Sequence, residues 1–362
     1  MALDASFSTL PFPKAGLPAH PSRQRLLRLV GRRQETPDVV TFDFEVLDDR
    51  LRHHPGQAIA LDLPMAGGTA TRTFTLASSG IDPRRVSVTV KAGSPGNATR
   101  WMHETLHPGA EITARGPFGR FTLAAHPGKP LLLVGGGSGF TPMMSMLRWL
   151  HARRETADVA AIQVARRVED LLFTEELGRI AANMPNLRLF DVVTAPGAGE
   201  AWRGYRGRPD RAMIRAMFPD VGRRVAFCCG PEGFMSQMRR VLGAEGLDAR
   251  QFHTESFGTA PVRIAEAPAS EDAAWDGVAV KYRGQIHDLP PDQPLSTALA
   301  ARGQRIPTGC GEGQCGTCRL RLLEGEVEMQ QQGGLSEREV EQGYILACCS
   351  RPKGPVTLAD PA

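Results

Sequence analysis

No cysteine occurs before Cys228, so the long first part of the chain is not a disulfide-stapled framework. No segment approaches the roughly 18 consecutive apolar residues of a membrane-spanning helix. The opening MALDASFSTLPFPK has neither the basic region nor the long apolar core of a targeting segment. A soluble, cytoplasmic protein without membrane contact is expected. Charge of one sign is scarce as well: 43 Lys and Arg face 39 Asp and Glu, the formal net charge is +4, and no long like-charged run occurs. That balance excludes the electrostatic footprint of a nucleic-acid-binding protein. With 23% charged and 41% hydrophobic residues the composition is that of a globular chain, neither disordered nor collagen-like. Its 362 residues, at about 150 per domain, suggest two or three domains. The 39 glycines and 28 prolines are spread along the chain and signal many turns rather than low complexity.

What is present is a cysteine pattern. Cys228 and Cys229 adjoin, Cys310, Cys315 and Cys318 follow C-x4-C-x2-C, and Cys348 and Cys349 adjoin further on. A large chain without a secretion signal has no need of disulfides, and this spacing matches the C-x4-C-x2-C…C of plant-type 2Fe-2S ferredoxins. Zinc ligands usually come in two short clips, so three thiolates in one loop with a distant fourth favour an iron-sulfur cluster. Gly309, Gly311, Gly313 and Gly316 interleave with these cysteines. Small residues there permit positive φ and let peptide N–H groups approach the sulfides. Cys310, Cys315 and Cys318 are thus candidate metal ligands, with Cys348 or Cys349 as the fourth. The flanks suit a small β-grasp fold. GVAVKYRGQIHDL reads as two strands about a turn at Arg283-Gly284, PLSTALAARG as a helix ending at Gly303, and Ser336 with Glu339 as a capping box for a short helix that stops near Gly343.

From Pro130 onward strands and helices alternate. LLLV (131–134), VAAIQVA (159–165), LRLFDVV (187–193) and RVAFC (224–228) read as strands with amphipathic helical stretches between them, which implies a doubly wound parallel α/β sheet. The first strand runs into GGGSGFTPMMSMLRWL. Gly135, Gly136, Gly137 and Gly139 would let the backbone approach a phosphate, and the helix opening at Thr141-Pro142 would supply oriented N–H groups. This is not the strict G-x-G-x-x-G. A second strand end, RVAFC into CGPEGFM, repeats the arrangement with Pro231 near a helix start. Loops at the carboxyl ends of parallel strands line the ligand crevice, so both segments can face one nucleotide. Cys229 is either a core thiol or, from its place at that strand end, a neighbour of a nicotinamide.

Residues 23–125 hold VVTFDFEVL, QAIALDL, TRTFTLAS and RVSVTVKA, whose period of two indicates an antiparallel sheet or barrel. Arg72 is a cation on a strand whose alternate positions Phe74 and Leu76 are expected to be buried; taken alone it is an ordinary exposed strand Arg. GNATRWMHETL reads as a helix start with Asn97 or Thr99 as cap or phosphate contact.

With RTFTLAS, GGGSGFTP and CGPEGFM in this order and a ferredoxin-like segment behind them, the first 258 residues resemble the ferredoxin-NADP reductase superfamily. The resemblance implies an N-terminal extension over residues 1–22, an FAD-binding antiparallel β-barrel over 23–127 and an NAD(P)-binding domain over 128–258. An Ala/Pro-rich linker over 259–275 and a 2Fe-2S ferredoxin-type β-grasp domain over 276–362 would follow. In such a protein Arg72 pairs with a flavin phosphate through its guanidinium fork. Phe74, in place of the commoner Tyr, lies against the isoalloxazine ring, and Thr75 stands near the flavin N5 where hydride arrives. Val90, Gly96 and Thr99 belong to the stretch that wraps the rest of the flavin, with Thr99 toward the pyrophosphate. The nucleotide is held by Gly135, Gly136, Gly137, Gly139, Thr141, Gly230 and Pro231, with Cys229 beside the nicotinamide. Arg166 follows the second strand, where a ribose or a 2′-phosphate lies. Glu255-Ser256-Phe257 resembles the segment that closes the nucleotide domain near the flavin. Resemblance to plant-type ferredoxins, whose last ligand stands in a context like ILAC, makes Cys348 the fourth ligand and Cys349 a buried neighbour.

NAD(P)H surrenders electrons in pairs as hydride, a 2Fe-2S cluster takes them singly, and a flavin handles both. The module order therefore describes a wire from NAD(P)H through flavin and cluster to an external redox protein. The resemblance implies the reductase component of a Rieske-type monooxygenase, dioxygenase or demethylase. Reduction of another metalloprotein, such as a hybrid-cluster protein, is the alternative within the same chemistry. A redox-sensing iron-sulfur protein with a vestigial nucleotide site is the alternative from another class, and the intact motifs argue against it. The glycine-led helix and GPFGRF favour FAD over FMN. NADH is favoured over NADPH by the resemblance, although Arg166 and Arg167 would suit NADPH if they are more than solvated charge. His53-His54 before Pro55 reads as a turn, not a metal site.

Overall fold

The computed structural model describes residues 24–48, 50–66, 68–197, 199, 201–255, 277–308, 311, 313, 316–331, 334–335 and 337–361. The expected extension (1–22) and linker (259–275), Phe257, Cys310, Cys315 and Ser336 lie outside the described residues.

Strands β1 (Gln24–Thr36), β2 (Val39–Val46), β3 (Ala58–Met65), β4 (Gly68–Thr75), β5 (Arg85–Lys91) and β6 (Glu111–Phe118) form an antiparallel sheet in the order β4-β3-β6-β1-β2-β5. A bridge between Leu76 and Val88, with the Ala77 N–H donating to the Ser87 carbonyl at 2.7 Å, joins the two outer strands. The sheet thereby closes into a barrel, which removes both exposed edges. Alternate residues Leu27, Leu29, Phe42, Phe44, Ile59 and Leu61 point inward and are fully buried, as a period of two requires. Helix α1 (Ala98–Thr105) adds Ala98 and Met102 to that core, and Asn97 caps it by accepting the Thr99 N–H at 2.9 Å.

The second unit runs β7 (Leu131–Gly136), α2 (Thr141–Ala152), β8 (Val159–Ala165), α3 (Thr174–Asn183), β9 (Leu187–Val193), β10 (Tyr205–Arg206), α4 (Arg211–Met217), β11 (Val225–Cys229), α5 (Glu232–Ala244) and β12 (Phe252–Glu255). The strands pair in parallel in the order β10-β9-β8-β7-β11-β12. Every residue of β7 and β8 is buried, because helices cover both faces and the strands are apolar throughout. The chain leaves β7 toward one edge and returns at β11 toward the other. That reversal opens a crevice at the carboxyl ends of β7 and β11. Arg224, read from the sequence as the first residue of a strand, precedes β11 instead. Its fully buried guanidinium lies at the opposite, amino end of the sheet, donating to the Leu131 carbonyl (2.9 Å), Asp220 (2.7 Å) and Asp158 (2.5 Å).

The third unit holds β13 (Val278–Tyr282), β14 (Gln285–Leu289), α6 (Leu295–Ala301), β15 (Arg319–Glu324), β16 (Val327–Met329), α7 (Glu337–Glu341), β17 (Tyr344–Leu346), β18 (Ser350–Pro352) and β19 (Val356–Ala359). Its main sheet has the order β14-β13-β19-β15-β17, with β13 parallel to β19 and antiparallel to β14, and β16 pairs with β18 apart from it. This is the expected grasp of a sheet around one helix: α6 buries Leu295, Ala298 and Leu299 against it. The hairpin turns at Arg283 (φ 49°) and Gly284 (φ 78°), the pair of positive φ values that a two-residue loop between twisted strands prefers. Glu339, half of the expected capping box, accepts from Arg319 on β15 at 2.7 Å.

Candidate functional site

Gly135 on β7, Cys229 on β11 and Glu255 on β12 stand side by side in register across the parallel sheet. The Thr75 hydroxyl, at the end of β4 in the barrel, donates to the Glu255 carboxylate at 3.0 Å, and both residues are buried. This bond brings the RTFT segment to the crevice predicted from the strand order. Sequence reasoning placed Thr75 and Cys229 here. Glu255 carries no such signal in the sequence, since nothing local distinguishes a carboxylate at a strand end whose partner lies far back in the chain.

The two loops of the crevice interlock. A Cβ on Gly139 would lie 2.4 Å from the Cys229 carbonyl oxygen, and Cβ atoms on Gly136 and Gly230 would lie 2.9 and 2.8 Å from the Phe234 ring. Side chains are therefore excluded where the two strand ends meet. Gly137, with φ +56°, faces open space, so the loop presents bare backbone outward. That cradle fits a dinucleotide phosphate at the start of a helix. Thr141 is buried and its hydroxyl donates to the Ser138 carbonyl at 2.8 Å, closing the loop on itself. Cys229 is fully buried at its strand end, Gly230 follows it, and Pro231 directly precedes α5. Arg166 and Arg167 are both exposed beyond β8; Arg167 faces Glu169 at 3.4 Å, and the Arg166 carbonyl accepts from Ala195.

On the barrel side, Arg72 is half-buried, donates to the Thr71 carbonyl at 2.8 Å and has no carboxylate partner among the described residues. A sheltered cation without a counter-charge suits an anionic ligand. Leu76 is buried as expected, but Phe74 is only half-buried, because β4 ends the sheet and closure begins just beyond it, at Leu76. Thr73, on the same face as Thr75, has a buried hydroxyl with no partner among the described residues. The Val90 side chain lies inside the barrel, and its carbonyl meets the His103 ring at 2.9 Å. Gly96 is exposed with open space where a Cβ would stand. The Thr99 hydroxyl accepts the Gly93 N–H at 2.9 Å and so fixes the loop that leads into α1.

In the third unit, Cys318 and Cys348 are buried and adjacent. Cys318 Sγ accepts the Cys348 N–H at 3.4 Å, and Cys348 Sγ accepts the Gly313 N–H at 3.3 Å. Gly311, Gly313 and Gly316 have φ of +76°, +71° and +70°, the left-handed backbone anticipated for a loop drawn around a cluster. Thiolate sulfurs that receive peptide N–H groups fit a 2Fe-2S centre. Cys349, expected to be buried, is half-buried; its thiol donates to the Leu346 carbonyl at 3.6 Å. Cys228 is a core thiol whose burial pushes its pKa up to about 12. His53 lies between β2 and β3. Its ring is buried, with Nδ1 donating to the His54 carbonyl and Nε2 accepting from the Ser78 hydroxyl, each at 3.0 Å.

Three family patterns cover most of the chain: the oxidoreductase FAD-binding domain at residues 26–123, the oxidoreductase NAD-binding domain at 133–240 and the 2Fe-2S iron-sulfur cluster binding domain at 279–353. The chain is 38% identical over 338 residues to the stachydrine N-demethylase reductase subunit of Rhizobium meliloti, covering 92% of this chain and 95% of that protein. It is 36% identical over 347 residues to the glycine betaine monooxygenase reductase subunit of Pseudomonas aeruginosa, with coverage of 92% and 95%. The solved structure of phthalate dioxygenase reductase shares the fold, with a TM-score of 0.57 and 22% identity over 93% of this chain and 97% of that one.

Proposed function

Because the chain belongs to the ferredoxin-NADP reductase superfamily, as a flavin- and NAD(P)-binding reductase with a C-terminal 2Fe-2S domain, we propose that it is the reductase component of a Rieske-type oxygenase system. One observation carries the reading: the Thr75–Glu255 hydrogen bond joins the flavin motif to the strand end that bears Cys229 and the glycine loop. Bound FAD and the 2Fe-2S cluster supply the conversion of a two-electron hydride donor into single electrons, which no side chain of this protein can do.

The chain's own residues bind, orient and shield. Arg72 would hold the flavin phosphate and the half-open Phe74 ring would lie against the flavin, with Gly96 in the stretch that would wrap the rest of it and Thr99 toward its pyrophosphate. Glu255, accepting from Thr75, fixes that hydroxyl's direction. Gly135, Gly136, Gly137, Gly139, Gly230 and Pro231 shape the nucleotide cradle, and buried Cys229 keeps water from its floor. Cys310, Cys315, Cys318 and Cys348 hold the cluster. NADH is the proposed donor, and the setting is cytoplasmic; among the described residues no helix is long and apolar enough to cross a membrane.

The names of both relatives point to oxygenases that act on betaines, so we take the electron acceptor to be an oxygenase component that demethylates a substrate of that class. The test combines the purified protein, NADH, such an oxygenase component and glycine betaine, and measures formaldehyde against NADH consumed. Coupled formation is expected. Brisk NADH-driven cytochrome c reduction with no formaldehyde from any betaine would leave the reductase chemistry standing and reject the partner.

A further inference from the structure

Helix α2 connects the two halves of the site. It begins at Thr141, directly behind the glycine loop, and its next turns reach the segment just beyond the end of β4, the strand that carries Thr75. Ser145 and Arg148 stand about 6 and 10 Å along the axis from Thr141. Fully buried Ser145 donates from Oγ to the Ser78 carbonyl at 2.6 Å and accepts the Gly56 N–H at 3.2 Å. Arg148 donates from Nη1 to the Ala77 carbonyl at 2.8 Å, while Nε and Nη2 fork onto Glu176 of α3, both at 2.7 Å.

The acceptors, Ala77 and Ser78, come immediately after RTFTL and are themselves fixed in the barrel. The Ala77 N–H donates to the Ser87 carbonyl, and the Ser78 hydroxyl accepts the Ser87 N–H at 3.3 Å while meeting His53. A separate observation shows how closely the helix is set: a Cβ on Gly56 would lie 2.8 Å from Met146 Cε on α2 and 2.3 Å from the Phe121 carbonyl oxygen. The barrel loop has no side chain at the point where α2 meets it. Two donors on one helix thus grip two consecutive carbonyls, and among the described residues their side-chain hydrogen bonds go to Ala77, Ser78, Gly56 and Glu176 rather than to the cradle or the Arg72–Thr75 segment.

We propose that Ser145 and Arg148 are positioning residues that set the separation between the nucleotide cradle and the flavin motif, and with it the rate of hydride transfer. The inference rests on the reductase reading above and adds what fixes the spacing. Two reactants held by different units react at a rate that depends steeply on their alignment, and a displacement of about 1 Å can cost about 100-fold. Glue at a domain boundary would influence stability; a ruler influences turnover without influencing either cofactor's affinity.

The experiment uses the full holoprotein with Ser145→Ala and Arg148→Lys, the latter keeping the charge but losing the planar fork that engages Glu176 through two nitrogens while a third holds Ala77. Flavin content, NAD⁺ affinity by calorimetry, steady-state NADH–ferricyanide turnover and the long-wavelength charge-transfer absorbance on anaerobic mixing with NADH are recorded. The expected result is full flavin content and unchanged NAD⁺ affinity, with kcat lower by about tenfold or more and a weakened charge-transfer band. Unchanged kcat in both variants overturns the proposal, as does a fall in kcat matched by lost flavin or raised KM. Should Ser145→Ala fail to fold, Arg148→Lys decides alone, since that side chain is partly exposed and retains its charge. Failure of the wild-type protein to reduce ferricyanide with NADH would reject the reductase reading, and the proposal with it.

Discussion

Acidification should loosen the barrel through His53, and the size of the effect follows from its surroundings. The ring is 7% exposed, its Nδ1–H is committed to the His54 carbonyl, and its Nε2 accepts from Ser78. The arrangement holds neutral imidazole, and burial pulls its pKa from 6.5 down to about 4. A folded value below the unfolded one means that the unfolded chain binds the extra proton between these limits. The stabilisation is therefore complete above pH 6.5 and is lost as pH falls from 6.5 to 4. Over the whole window the loss is about 3 kcal/mol, and between pH 7 and pH 5 about 2 kcal/mol. His54, His103, His126 and His253 are lowered in the same direction by burial, so the wild-type pH dependence contains their contributions as well. The informative perturbation is His53→Asn, whose amide can still donate to the His54 carbonyl but does not titrate. Urea unfolding of both proteins at pH 7 and pH 5 gives the comparison. The variant should lose about 2 kcal/mol less than the wild type over that interval, whatever its starting stability. Equal losses in the two proteins would refute the assignment.

Arg224→Met should lower stability by about 2 to 4 kcal/mol, at the low side of a broken buried pair because Asp158 and Asp220 are partly exposed. That corresponds to a fall in Tm of roughly 5 to 10 °C, with NADH–ferricyanide kcat at 25 °C unchanged; a lowered kcat would contradict the structural role. The hydrogen bond from Arg224 holds the Asp220 carboxyl below its ordinary range, so this stabilisation is present at neutral pH and lost as pH falls below the usual carboxylate values. The variant's stability should be correspondingly flatter there. Cys348→Ser should abolish the cluster's visible absorption while flavin is retained, and Cys349→Ser should keep both; the reverse pattern would move the fourth ligand. Arg72→Ala should release flavin on gel filtration, and a full complement in that variant would remove Arg72 from the phosphate site.

Much of this architecture was legible because it is local. The runs at 131–134 and 159–165 are buried on both faces, 187–193 is half-buried from Arg188 to Asp191, and all three read as parallel strands; Gly284 suits the positive φ of the hairpin turn, which Arg283 shares. The glycine loop and CGPEG could be placed at strand ends because each follows a strand and opens a helix. What was not legible depends on partners distant in the chain. Arg224 looks like a strand residue until Asp158 and Asp220 surround it, and Ser145 sits in an apolar helix with nothing nearby to mark its grip on Ser78. Glu255 acquires meaning only through Thr75, 180 residues earlier. Phe74 is half-open because a barrel closes beside it, which alternation alone does not reveal.

An anaerobic titration of the purified holoprotein with NADH, followed in the visible spectrum, tests the electron path most directly. The flavin and iron-sulfur bands are expected to bleach together within the same additions, as electrons entering at the crevice pass on to the cluster. Bleaching of the flavin alone, with the cluster remaining oxidised in excess NADH, would contradict that path.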